Sequence, residues 1–580
     1  NCVDDGSFVG PMKSDLVFGP DTGFYCGYAF ANVSANRASA ERVNAWVSST
    51  FEVNDSVELF ADMIIAQNES FGRYAPPAAP GAALASDPRN PYGQAVNGYF
   101  RWVDIGTRDN VVNDTMTDVN IGIRGDINDS LSYESYYTYS DYRSASIGTY
   151  YLSYGGFEYN INYNITDYDQ YVANLKSTTL NDDRMNLQKV FYGMQWDMFE
   201  MDGGMASSYF AAEGFNVKYA ALVDGQSEAG LVGGSAGNSA AGSRSVVAFS
   251  AETVLPVTDW VTVDAAVRYD DYNDFGSAVS PRLGATFNFF DDLTIKASMG
   301  QGFRAPDLSD LYGVTSFSAE GATDNYGCQL TGQSPCPSRQ FDTYIGSNPN
   351  LDAESSQTFS LGASYNFFDT WNVGVNYFTL DIEDAIDYVS AQDMLDSDFY
   401  SGGNESNVVR GPNGNVVEIY AGYQNASLEV NREAVDFSLN GMIETGFGMF
   451  DVAANSTMYL NYDAEDGFGT GDIYNAAGTL GFPEWRSNLF LRWTMGDFSA
   501  SWNTDYIGES ESRASGEKFD AWMLHNATVS YDLAEFGAIT LGANNILDED
   551  PLLNSFGEQV DEYQYDNTGR VIYVGYSIEL

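Results

Sequence analysis

The sequence is poor in histidine, in cations and in cysteine, and it lacks any long apolar run. A single histidine, His525, is present. That excludes a Ser-His-Asp triad with a spare base and a His-rich metal site. Lys and Arg number 26 against 81 Asp and Glu, a formal charge of −55 with a pI near 4.1. Such a chain repels phosphate backbones, so nucleic acid is excluded as a partner. No run of about 18 apolar residues occurs, so no transmembrane helix is available. Scarce Lys and Arg also speak against long amphipathic helices.

The four cysteines form two close pairs, Cys2/Cys26 and Cys328/Cys336, set among Gly, Pro, Ser and Asp, which is loop composition. Neither pair has the Cys-x-x-Cys spacing of a zinc or redox site. They read as local disulfides of an oxidising compartment, which excludes the cytosol.

What the chain has in excess is aromatic residues and glycine: 40 Tyr, 36 Phe, 9 Trp and 57 Gly. The aromatics fall on a period of two. Val261, Val263, Ala265, Val267 and Tyr269 share one parity, while Thr262, Asp264, Ala266, Arg268 and Asp270 share the other. Phe359, Leu361, Ala363, Tyr365 and Phe367 repeat the pattern, as do Val435, Phe437, Leu439 and Ile443. Strict alternation is the mark of a strand with two unlike faces. The segments exceed the five or six residues (about) usual in soluble strands.

Tight turns join the segments in pairs, at Asn128-Asp129, Asp202-Gly203-Gly204, Thr258-Asp259, Asp291-Asp292, Asp369-Thr370, Gly446-Phe447-Gly448 and Gly496-Asp497. The hairpin strands are expected at 39–53 and 56–68, 114–126 and 131–143, 184–199 and 205–218, 244–256 and 259–271, and 277–289 and 293–302. Four more pairs follow at 355–367 and 371–383, 431–445 and 449–463, 481–495 and 498–508, and 520–532 and 537–547, then a last strand at 570–580. That makes about 19 strands, where a bacterial barrel closes with an even number. Segment 97–108 reads equally as one more strand or as a ribbon within a loop.

Long irregular connections separate the hairpins, at 69–97, 144–183, 222–243, 303–354 and 384–430. Short turns at one rim and long loops at the other are the layout of an outer-membrane barrel. Phe51, Phe289, Phe290, Phe367, Phe368, Trp371 and Trp493 beside the turns suit an interfacial girdle. A soluble sandwich or propeller fits less well, because no blade repeat of about 40–50 residues is present. The fold class is therefore all-β, a transmembrane antiparallel β-barrel.

At the C-terminus, Tyr573, Gly575, Ile578 and Leu580 resemble the last-strand signal read by the barrel-assembly machinery, with Leu580 in place of the commoner Phe. The run Gly302-Phe303-Arg304-Ala305-Pro306-Asp307-Leu308 resembles the Phe-Arg-Ala-Pro box of TonB-dependent outer-membrane receptors. Asn348-Pro349-Asn350-Leu351, then Glu354, follow as in that family. Asn544-Asn545-Ile546-Leu547-Asp548 with Pro551, and Gly569-Arg570, are also similar to it. The resemblance spans essentially the whole chain.

It implies a 22-strand barrel with a plugged lumen, and energised uptake of a scarce nutrient such as a ferric siderophore, an oligosaccharide or a cobalamin-like ligand. It implies as partners the outer-membrane lipid and lipopolysaccharide, the TonB–ExbB–ExbD complex and the small-molecule or oligosaccharide substrate, and it implies no enzyme. No plug pattern or TonB box precedes the first strand here. The expectation is that residues 1–580 form the barrel domain, with the plug and about three strands absent from this chain. Haem receptors of the family carry a ligating His between the two boxes, and residues 307–347 contain none.

Candidate substrate contacts are loop aromatics: Tyr150, Tyr151, Tyr154, Phe157, Tyr159, Tyr163, Tyr388, Tyr400, Tyr420 and Tyr423. Stacking on sugars, aryl chelates or corrin-like ligands suits such a surface. The plainer reading is that Tyr decorates strand extensions above the membrane. No cofactor is expected. Loop carboxylates such as Asp381, Glu383, Asp384, Asp387, Asp393, Asp396 and Asp398 would at most hold Ca²⁺ loosely, since no dedicated Asp-x-Asp-x-Asp-Gly loop occurs. The rival functions are a passive porin and a structural or adhesive surface barrel.

Overall fold

The computed structural model describes residues 8–13, 24–28, 33–35, 38–83, 96–233, 237, 239–290, 292–334, 336–425, 429–465, 473–513, 516–554, 559–560 and 564–578. Nineteen long strands build one antiparallel barrel sheet. They are β1 (Ser39–Asn54), β2 (Val57–Tyr74), β3 (Arg108–Asn128), β4 (Leu131–Ser153), β5 (Lys176–Met201), β6 (Gly204–Val223), β7 (Ala240–Thr258), β8 (Val261–Tyr272), β9 (Gly276–Phe289) and β10 (Leu293–Arg304). The wall continues with β11 (Glu354–Phe367), β12 (Trp371–Glu383), β13 (Val430–Thr445), β14 (Gly448–Glu465), β15 (Trp485–Met495), β16 (Phe498–Ile507), β17 (Trp522–Asp532), β18 (Ala538–Asn544) and β19 (Val571–Ser577). Each strand pairs with the next in chain order, from β1–β2 through β18–β19. Every expected strand is present.

The alternation sorts the two faces as expected. Val267, Tyr269, Val279, Leu283, Phe359, Leu361 and Phe437 are exposed on the outer face. Their neighbours of opposite parity form ion pairs, Arg282–Asp264 at 3.1 Å, Arg268–Asp270 at 2.8 Å and Lys189–Glu213 at 2.6 Å. Charges there avoid lipid. At the short-turn rim Phe290, Phe368 and Phe447 are almost fully exposed, and the Trp493 Nε1–H donates to the Phe447 carbonyl at 2.7 Å. These are girdle positions.

The strands differ in length, and this departs from the expected loop boundaries. β3 to β6 run 20–26 residues, whereas β8 to β12 run 12–14. A span needs about 9–11 residues. Segment 144–183 is thus not an irregular loop: β4 continues to Ser153 and β5 begins at Lys176, with two helices between them. Likewise β2 continues to Tyr74. Residues Val96–Arg101 do not add a strand to the wall; they pair with Ala78–Ala83 as a loop ribbon. On the long-loop rim, β8 and β9 are joined by only residues 273–275.

The cysteines also depart from their expected loop placement. Cys26 lies in a strand, Phe24–Tyr28, which pairs antiparallel with Phe8–Lys13 apart from the barrel wall. The aromatic run around it (Phe24, Tyr25 and Tyr28) favours extended backbone over the turn that its Gly and Asp neighbours suggest. Its expected partner Cys2 falls outside the described residues, so the Cys2–Cys26 bond does too. Cys328 lies in a short helix, Asn325–Thr331.

The wall has no conventional core. The buried apolar clusters of the described residues lie in the connections and at the strand ends beside them, such as Leu152, Ile507 and Trp522. Tyr573 and Gly575 of the assembly signal lie on β19, whereas Glu579 and Leu580 fall outside the described residues. No described helix is long and apolar enough to cross a membrane.

Candidate substrate vestibule

The two longest connections, 305–353 and 384–429, fold together rather than apart. Strands Ser316–Thr323, Ser338–Gly346, Val416–Asn425, Ile386–Val389 and Val408–Arg410 form one small sheet above the rim. Its centre is a parallel pairing of Thr343–Gly346 with Ile419–Gly422, one strand from each loop. Helix α1 (Ala391–Tyr400) covers it. Ser390 starts that helix with a capping box, its hydroxyl taking the Asp393 N–H while the Asp393 carboxylate takes the Ser390 N–H. Met394, Leu395, Val389, Val408, Ile419 and Ala322 close a dry core beneath it.

Charge and a disulfide staple this cap. Arg410 bonds Asp324 on one loop and the fully buried Asp398 on its own, at 2.7 and 2.6 Å. Burial would raise the Asp324 carboxyl, but the hydrogen bonds from Arg410 and the Gly327 N–H outweigh it and hold it below the usual carboxylate range. Cys328 and Cys336 are bonded, as their spacing leads one to expect.

The family boxes fasten the cap to the barrel. Arg304, at the end of β10, donates twice to Glu354 at the start of β11, both at 2.7 Å, and Glu354 also accepts the Ile386 N–H at 2.6 Å. Phe303 meets Tyr272 edge-on at 5.9 Å. Pro306 is fully buried and its carbonyl accepts from Arg244, which also pairs with Asp274. Ala305 lies between these anchors. Asn348 donates its backbone N–H to the Asp310 carbonyl and its side-chain amide to the Tyr423 carbonyl, and its Oδ1 accepts from the Asn350 N–H. Leu351 is buried, whereas Pro349 is exposed. Near the C-terminus, Arg570 pairs with Asp548 and donates to the Ile546 carbonyl, which ties β19 to the turn after β18. Each box is a clamp between segments distant in sequence.

The candidate aromatics separate into two groups. Tyr151 is buried with its hydroxyl on Asn110, and Tyr154 and Phe157 pack with Trp102, Tyr168 and Tyr171 around Leu152 and Leu175. Tyr388 and Tyr423 meet edge-on at 5.6 Å; burial, with Glu320 next, pushes the Tyr388 phenol up to about 12. Tyr423 is raised by burial, then by Asp310 and Asp307. Tyr151 is thus buried, whereas Tyr154, Phe157, Tyr388 and Tyr423 are half-buried. Tyr150, Tyr159, Tyr163, Tyr400 and Tyr420 face solvent. Tyr159 and Tyr163 lie tilted against each other at 4.5 Å, Tyr420 stacks on Tyr344 at 5.4 Å, and Lys176 sits over the Tyr150 ring.

Sequence reasoning missed Arg410, Asp324 and Asp398 as a unit. The signal was available: the two cap loops carry fourteen carboxylates against Arg339 and Arg410. A cation in such a field is almost obliged to pair.

A 19-strand antiparallel wall with a clamped, folded cap at its long-loop rim has a counterpart among known proteins. Residues 50–546 match the family model for the TonB dependent receptor-like β-barrel. The chain belongs to that family. It is 30% identical to the ferric enterobactin receptor PirA of Pseudomonas aeruginosa over 157 residues, covering 26% of this chain and 20% of that relative. It is 27% identical to the ferrienterobactin receptor of Escherichia coli, over 27% of this chain and 19% of the relative. The chain thus spans about a fifth of the length of these curated relatives. Among solved structures, a mutant of the ferric enterobactin receptor of P. aeruginosa aligns with TM-score 0.60 at 16% identity, over 93% of this chain and 70% of that one. The RagAB peptide transporter aligns with TM-score 0.57 at 13% identity, over 93% and 72%. These two show the shared fold.

Proposed function

We propose that this TonB-dependent receptor barrel sits in the bacterial outer membrane and takes up a scarce nutrient, with a ferric siderophore first among the candidates. The observation that carries this reading is the family match across 50–546 joined to a vestibule whose cap is held on the barrel by the family boxes. Four of the relatives are named as enterobactin or siderophore receptors, and a fifth as a vitamin B12 transporter. Binding and translocation require no covalent chemistry of this chain. Energy would come from the TonB–ExbB–ExbD complex acting on a plug.

Within the siderophore class the vestibule favours neutral chelates over polyanionic ones, because its cap loops carry fourteen carboxylates against two arginines, one of them already committed. Exposed Tyr159, Tyr163, Tyr400 and Tyr420 offer ring faces for stacking. Uptake of radiolabelled iron siderophores and of labelled cobalamin, in a strain with and without the gene, tests the reading. Accumulation of one of them that requires both this gene and TonB is the expected result. A large constitutive conductance of the complete protein in planar bilayers, with no TonB dependence, would overturn it in favour of a porin.

A further inference from the structure

The lumen face of the wall is uneven in a way that neither the cap nor the girdle explains. On β4 to β6 it carries rings. Tyr136 lies stacked against Phe191 at 4.7 Å, Lys189 sits over both, and Phe215 opposes Lys189 in the register. Such a surface suits lasting packing against a protein neighbour. The described inner faces of β9, β10 and β11 carry no ring. They present hydroxyls instead, Thr286, Thr294, Ser298, Ser360 and Ser364.

Between β8 and β13 these side chains bound an open polar trough of about 380 Å³. Ser298 faces Ser360 across it, and one pair lower Lys296 faces Gly362. Gly284 and Gly374 make room for their neighbours, since a Cβ on either would meet the Asp264 carboxylate or the Ser438 hydroxyl. Most of the stronger groups are already committed. Arg282 pairs with Asp264 at 3.1 Å, Asp436 accepts the Thr457 hydroxyl at 2.7 Å, and Asn376 Oδ1 accepts the Ser360 hydroxyl at 2.8 Å. Lys296 is the exception. It is exposed to the trough and pairs with none of the described carboxylates, on a chain of net charge −55.

The trough is continuous with the vestibule. Arg304 and Glu354, the clamp beneath the cap, face each other on the same two strands. They stand six residues above Ser298 and Ser360, about 20 Å along the wall. A cargo that leaves the vestibule along β10 and β11 therefore meets Ser298, Ser360 and Lys296 before the short-turn rim. A transport path needs sites that bind well enough to be entered and weakly enough to be left. Hydroxyls and one unpaired ammonium meet that need for a ligand whose surface is carbonyl oxygen. A polyanion would face Asp264 and Asp436 as well.

We propose that this trough is a transit subsite, where a neutral, oxygen-rich ferric chelate leaving the vestibule is held briefly by Lys296, Ser298 and Ser360. The proposal rests on the uptake reading above and adds a place in the lumen to it.

The test uses cells that carry the complete receptor, with a neutral ferric trihydroxamate and anionic ferric enterobactin, both radiolabelled, as probes. Surface binding is read on energy-depleted cells and initial uptake on energised ones. K296Q, and S360F which fills the trough, should each slow trihydroxamate uptake about fivefold or more, the worth of about one hydrogen bond, and leave surface binding unchanged. S499F, on the lumen face of β16, should change neither. Heat-modifiable gel mobility reports whether each barrel is folded, and K296Q keeps the test open where S360F does not fold. Wild-type uptake rates in both K296Q and S360F, or an equal loss in S499F, would overturn the subsite. Entry of a large glycopeptide antibiotic into K296Q or S360F cells would also overturn it, by showing that the trough seats the plug. Uptake of ferric enterobactin alone by the wild type would overturn the neutral class. Uptake of neither probe would instead overturn the reading on which the subsite rests.

Discussion

Arg304 and Glu354, fifty positions apart, close a two-bond fork at 2.7 Å between the ends of β10 and β11. The same Glu354 Oε1 receives the Ile386 N–H, so one carboxylate fixes the bases of both cap loops. Arg304→Ala should therefore loosen two segments at once. Because Arg304 is about half exposed, the loss of stability is expected to be only about 1 kcal/mol. Hydrogen exchange should rise at both 305–312 and 384–389. A rise in one segment alone would contradict the shared anchor.

Arg410→Ala should do more damage. It leaves Asp398, fully buried, as an uncompensated charge, for which about 3–5 kcal/mol is typical. The cap should open while the barrel keeps its heat-modifiable mobility. Proteolysis within 305–353 and 384–429 checks this, and Arg410→Lys should recover part of the protection, since a lysine keeps the charge without the fork.

The cap's acid response is expected to have two parts of opposite sign. Asp324 titrates below its ordinary value in the folded cap, so its contribution is present above the ordinary carboxylate range and is lost as pH falls through that lowered value. Asp310 is raised, by burial first and by Asp307 second. Its ionised form opposes folding, so that opposition fades as pH falls from neutral through the raised value. Mild acid should accordingly slow hydrogen exchange around 308–312 before stronger acid releases the cap. Asp310→Asn should remove the first effect and spare the second; persistence of the mild-acid protection in that variant would contradict the assignment.

Reducing Cys328–Cys336 opens a short loop beside Asp324. Loop-closure entropy sets its worth at about 2–3 kcal/mol. Reductant should lower the cap's resistance to protease without changing barrel mobility on gels.

On the wall, Phe210→Arg should cost at least about 2–4 kcal/mol of barrel stability in lipid, because Phe210 is exposed on the apolar outer face and pairs with Met194 in the middle of the outward row from Trp196 to Val190. Urea unfolding in vesicles measures it. A cost near zero would mean that this face does not meet hydrocarbon.

The wall was legible because a strand's side-chain period is local: parity, turn residues and the aromatic rows need no knowledge of what lies beyond the neighbouring strand. Hence all nineteen strands, the girdle at Phe290 and Phe368 and the inward charges such as Asp264 follow from the order of residues. Strand ends were less legible. Above the membrane no hydrophobic constraint marks where pairing stops, so β4 and β5 run on through 144–153 and 176–183. For the same reason the short strand that holds Cys26 reads as loop in the sequence.

The vestibule belongs to the tertiary structure. That Tyr151 is buried and Tyr423 half-buried while Tyr159 and Tyr400 face solvent depends on packing that composition does not carry. The parallel pairing of Thr343–Gly346 with Ile419–Gly422 joins residues about eighty positions apart, and Arg410 finds Asp324 across 86. The scarcity of cations, plain in the sequence alone, determined that each one would matter. Only the folded chain decided that Arg410 would hold the cap, that Arg304 would hold the rim, and that Lys296 would stand in the lumen trough.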